Sequence, residues 1–148
     1  MRLAFIFGTV VLFMTAGACK TTVKVSNSEH PYYIHALADL RGARWMIEHR
    51  PGNWAQTNDE IEAVRHIDAA IGEIKKAAID DGKDIDEHLA VDEPNEHNGR
   101  LHVSVDYLKK ARQDISRDED NQFARGLQAR AYNHIDAAIA SVRRAIHS

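Results

Sequence analysis

The run His66-Ile67-Asp68-Ala69-Ala70-Ile71 returns as His134-Ile135-Asp136-Ala137-Ala138-Ile139, 68 residues further along the chain. The offset carries into the flanks without a gap. Leu40, Ala43, Arg44 and Ile47 fall on Leu108, Ala111, Arg112 and Ile115; Asn53 falls on Asn121; Lys75-Lys76-Ala77 falls on Arg143-Arg144-Ala145. A self-similarity of this length requires two copies of one supersecondary unit, each unable to bury its apolar face alone.

The periodicity within each copy is helical. Tyr33, Leu37, Leu40, Arg44 and Ile47 recur at alternating spacings of four and three, and the stripe must stop before Pro51-Gly52. A second start follows at Thr57 or Asn58, with Glu60 close behind, and Val64, Ile67, Ile71, Ile74 and Ala78 carry that stripe to Gly82. Residues 83–98 are acidic, contain Pro94 and lack a period, so they read as a crossover. The spacing predicts a third helix from Gly99 to Arg117 and a fourth from Gln122 to His147. No alternation of period two appears. The expectation is an all-α fold: a four-helix bundle of two tandem hairpins, residues 30–82 and 99–148, related by pseudo-twofold symmetry.

The N-terminus belongs to a different part of the protein's life. Arg2 precedes an apolar run from Leu3 to Met14, and Ala16-Gly17-Ala18-Cys19 supplies small residues at a cleavage point. That is a secretory signal peptide, residues 1–18, too short for a comfortable membrane span. Cys19, the one cysteine of the chain, stands where a bacterial lipobox places its lipid-bearing thiol, although Ala16 occupies the usual Leu position. The alternative is an ordinary small-residue site that leaves the thiol free and the protein soluble in the periplasm or secreted. Residues 19–29 then form a polar tether with a reach of up to about 35 Å. With Lys20 rather than Asp after the cysteine, resemblance to known sorting rules points to the periplasmic side of the outer membrane. Loss of Arg2 leaves the mature chain one charge more acidic than the −3 of the whole sequence. That balance, with no basic stripe, excludes an electrostatic footprint for nucleic acid.

A few residues stand out against a plain bundle. Arg44 and Arg112 lie on the apolar stripes, with Asp68 and Asp136 as repeated partners, so each hairpin is expected to hold one buried or half-buried ion pair that fixes its register. His66 and His134 lie beside the core stripe among alanines. Either they hydrogen-bond across helices as structural groups, or they face one another and hold a divalent transition metal or a haem. Glu62, four residues before His66, is the one plausible partner on the same helix, and Arg130 takes its place in copy two. His88, His97 and His102, in or beside the acidic crossover, read either as part of a solvated acidic loop or as a loose alternative metal site whose spacing matches no ligand template. Trp45 and Trp54 near the first turn are replaced by Gln113 and Gln122 in copy two, so that tip is either a cap over the bundle end or a docking surface for a partner. No nucleophile elbow or phosphate-cradling glycine loop occurs, and no enzyme activity is expected.

The segments Leu40-Arg41-Gly42-Ala43-Arg44-Trp45, Ala77-Ala78-Ile79-Asp80-Asp81-Gly82-Lys83 and Gly99-Arg100-Leu101-His102, with the two repeated runs, resemble a group of uncharacterised exported bacterial helical-bundle proteins. The resemblance spans nearly the whole mature chain and implies export and a helical fold, with no activity or ligand attached. The sequence therefore leads to a non-catalytic, cofactor-free bundle, anchored to the membrane by an N-terminal lipid and serving an envelope protein or the envelope's structure. The alternative is a metal- or haem-binding bundle built on the repeated histidines.

Overall fold

A computed structural model describes residues 32–49, 55–80 and 97–148, apart from the side chains of Asp80 and His97. The signal segment, Cys19, the tether, Trp54 and His88 lie outside the described residues. Four helices are present: α1 (Tyr33–Glu48), α2 (Asn58–Asp80), α3 (His97–Asp114) and α4 (Gln122–His147). There is no strand among the described residues. The chain is an all-α four-helix bundle.

The helix starts follow from local hydrogen bonding. Thr57 and Glu60 form a reciprocal capping box: the Thr57 amide donates to Glu60 Oε2 at 2.7 Å, and the Glu60 amide donates to Thr57 Oγ1 at 3.2 Å. At α4, Asn121 Oδ1 accepts from the amides of Phe123 and Ala124 at 2.9 and 3.3 Å. Helix α3 departs from expectation at both ends. It begins at His97, so that residue belongs to the helix rather than the crossover. It ends at Asp114 because the last turn tightens: the Ser116 amide donates to Gln113 O at 3.0 Å, and Gln128 Nε2 reaches from α4 to the carbonyls of Ile115 and Arg117 at 2.5 and 2.8 Å.

Helix α2 packs most extensively on α4, and α1 on α3, while contacts within each hairpin are slighter. Both extensive interfaces are antiparallel. Along α2, Asp59, His66 and Glu73 meet Arg144, His134 and Arg130 in falling order on α4. Between α1 and α3, the Tyr32 amide bonds Asp114 O at one end and Arg100 bonds His49 O at the other. The core runs between all four helices through Leu37, Leu40, Ile67, Ile74, Leu108 and Ile135, all essentially inaccessible to solvent. Each such side chain contributes roughly 1.5–3 kcal/mol by leaving water. At Gly42 the missing side chain matters: a Cβ there would stand 3.3 Å from the Tyr107 ring, so this glycine lets α3 lie close on α1.

Candidate functional site

The repeated histidines meet. His66 Nδ1 and His134 Nδ1 are 3.3 Å apart across the α2–α4 interface, with ring centroids 5.6 Å apart and planes tilted by 39°. The alanines of the two stretches make this approach possible: Ala63, Ala70, Ala131 and Ala138 are all buried, and their small side chains bring the helix axes together. The His66 side chain is 17% exposed, and its Nε2 lies 3.1 Å from Glu62 Oε1, one turn earlier on the same helix. Arg65 clamps the same carboxylate, Nη2 at 2.6 Å and Nε at 3.0 Å. That hydrogen bond from Arg65 is the main reason the Glu62 carboxyl is held down at about 2. Burial, then the Arg65 charge, depresses the imidazole of His66 below its usual value, against the pull of Glu62. His66 is therefore neutral at pH 7.

The arginine–aspartate pairs form at the surface. Arg112 Nε donates to Asp136 Oδ1 at 2.7 Å, with side chains 48% and 51% exposed. Arg44 Nε lies 2.9 Å from Asp68 Oδ1, with 42% and 51% exposed, and Arg44 Nη2 also reaches Glu48 Oε1 at 3.2 Å. With about half of each side chain covered, both pairs are half-buried. The Arg44 Nε atom itself is shielded from solvent yet lacks an aligned hydrogen bond.

This pair lies in a groove of about 390 Å³ along hairpin one, lined by Arg41, Arg44, Trp45, Glu48, Asp68 and Lys75, with His49 and Ile71 completing the wall. Trp45 stacks on His49 at 4.3 Å, and the guanidinium of Arg100 stands 5.5 Å from the Trp45 ring while donating to the His49 carbonyl. Trp45 thus joins the end of α1 to the start of α3 and also forms a wall of the groove. A second groove of about 270 Å³ runs between α3 and α4 and includes His102, Lys109, Arg143 and His147. His102 donates from Nδ1 to the Asn98 carbonyl at 2.9 Å. Its two sequence companions, the His88 residue and the His97 side chain, are outside the description. Among the described residues, no three histidine, cysteine or acidic side chains gather as a metal ligand set.

Sequence reasoning missed two polar clusters. Asp39 on α1 is pushed up to about 6, first by burial and then by the neighbouring Asp114 carboxylate, with Lys110 and His35 pulling the other way. Burial also raises Asp114. The Tyr33 hydroxyl donates to the buried Glu119 at 2.5 Å, tying α1 to the turn before α4. The repeat gave no signal for these, because Asp39 falls on Tyr107 and Glu119 on Pro51. Comparison with models of known families, with curated proteins and with solved structures finds no match to this chain.

Proposed function

We propose that this is a non-catalytic, lipid-anchored bundle on the periplasmic side of the outer membrane, and that it holds an acidic segment of an envelope protein in the groove of hairpin one. The observation that carries the binding role is the make-up of that groove. Three cations, Arg41, Arg44 and Lys75, face two carboxylates, Glu48 and Asp68, beside the apolar faces of Trp45 and Ile71. The guanidinium and ammonium groups of the groove suit a partner carboxylate, and the indole and isoleucine give an apolar neighbour somewhere to pack. Anchoring rests on Cys19 and the small residues before it. No helix among the described residues is long and apolar enough to cross a membrane, and several acyl chains on one cysteine hold at about 0.8 kcal/mol per buried methylene.

Two measurements test this reading separately. A photo-crosslinking residue at Glu48, compared in living cells with one at Ser116, its counterpart in hairpin two, is expected to give a discrete adduct only at position 48. That adduct is expected to disappear in the Arg41→Glu/Lys75→Glu variant. Equal labelling at both positions, or an adduct indifferent to charge reversal, overturns the binding site. For the anchor, Cys19→Ser is expected to move the protein from the membrane fraction to the soluble periplasm. An unchanged distribution overturns lipid attachment and leaves the groove untouched.

A further inference from the structure

The α2–α4 interface carries a second site, independent of the groove. We infer that His66 and His134 form a two-histidine site for a divalent transition metal, with Glu62 orienting His66 from behind. Arg65 donates to both oxygens of the Glu62 carboxylate, Nη2 to Oε1 at 2.6 Å and Nε to Oε2 at 3.0 Å, so that carboxylate offers only acceptors to His66. The contact of 3.1 Å with His66 Nε2 therefore places a proton on that nitrogen. Arg65 Nη2 also lies near Nε2, at 3.3 Å, but the carboxylate contact is shorter and charge-assisted. With that proton on Nε2, Nδ1 of the imidazole carries the lone pair, and it faces His134.

In the metal-free protein, the 3.3 Å contact is one hydrogen bond, donated by His134 Nδ1–H to His66 Nδ1. The same separation suits a metal. Two nitrogens each 2.0–2.1 Å from a tetrahedral centre stand about 3.3–3.4 Å apart. Insertion requires the His134 ring proton to move from Nδ1 to Nε2, which opens a second Nδ1 lone pair and leaves the charge of the ligand pair unchanged. A carboxylate behind a ligating imidazole fixes its tautomer and raises its basicity, and Glu62 stands in that position. Imidazole pairs suit zinc, copper and nickel rather than calcium or magnesium. Positions three and four residues from each histidine offer only Ala63, Ala69 and Ala70, or Ala131, Ala137 and Ala138, besides Glu62 and Arg130. The remaining coordination positions therefore fall to water or a small exogenous ligand, which makes the site open.

The test uses the full mature protein, stripped with a chelator and titrated with Co²⁺ and then Zn²⁺. One equivalent of Co²⁺ is expected to give visible tetrahedral bands that Zn²⁺ displaces. Glu62→Gln is expected to weaken Zn²⁺ binding about ten- to a hundredfold. His66→Gln and His134→Gln, checked for helical content, are each expected to abolish the bands. Stoichiometric binding that survives in the double glutamine variant overturns the site, as does the absence of cobalt bands in the intact folded protein. A Glu62→Gln variant that binds like the parent overturns the orienting role of Glu62.

Discussion

The grooves of the two hairpins begin on equivalent cations, Arg41 with Lys75 in one and Lys109 with Arg143 in the other, and then open toward opposite ends of the repeat. The first extends to Trp45 and His49, whose counterparts are Gln113 and Arg117. The second extends to His102 and Asp106, whose counterparts are Ile34 and Ala38. The histidine pair shows the same division. Both rings come from the repeated run, but only His66 has a carboxylate behind it, because Arg130 replaces Glu62 and reaches instead to Glu73 at 2.9 Å. Positions common to the two copies build the bundle, and positions where they diverge give each face its own chemistry.

The strongest way to break that comparison is in the core. Ile67 and Ile135 are equivalent, and both are wholly inaccessible. Ile67→Ala and Ile135→Ala are each expected to cost about 2–5 kcal/mol, measured as the shift in denaturant midpoint at constant slope. The two losses are expected to agree. A loss in one copy several times that in the other would mean that the repeated runs share letters but not environment.

A smaller effect sharpens the contrast between the copies, because the raised carboxyl of Asp39 has no acidic counterpart. Its folded value of about 6 lies above the ordinary value of 3.8. A raised acid contributes stability that is complete below its unfolded value and lost as pH rises through its folded value. Asp39→Asn is therefore expected to leave stability near pH 4 unchanged and to raise it at pH 7–8. The full shift corresponds to about 3 kcal/mol at 1.36 kcal/mol per unit, reduced to on the order of 1 kcal/mol for a half-exposed group. Denaturation at both pH values checks this; an equal gain at pH 4 would point to packing rather than charge.

The bundle was legible because every helix writes its stripe in local sequence. Thr57 with Glu60 is a short-range start signal, and the structure uses it. The meeting of His66 and His134 was legible only as one of two alternatives, since the repeat puts both on one face without fixing which helices pair. What escaped is long-range or concerns solvent. Asp39 meets Asp114 across 75 residues, and Tyr33 meets Glu119 across 86. How far an arginine on a stripe is buried is not set by spacing alone; the Arg44 and Arg112 side chains are 42% and 48% exposed.

Those two surface pairs carry the finest contrast. Arg112 aligns two bonds with Asp136, Nε to Oδ1 at 2.7 Å and Nη2 to Oδ2 at 3.4 Å, and lies 5.1 Å from the Tyr132 ring, which restricts the guanidinium. Arg44 divides itself between Asp68 and Glu48. Double-mutant cycles with Arg44→Met and Asp68→Asn, and with Arg112→Met and Asp136→Asn, are expected to give couplings of about 0.2–1 kcal/mol, the second larger than the first. Both are expected to fade as ionic strength rises toward about 1 M, where charges more than about 3 Å apart are screened. A larger coupling at Arg44 would mean that shielding of its Nε, rather than bond alignment, sets the strength of a pair on this surface. The two hairpins would then differ in how they exclude water from the same motif, and not in how they orient it.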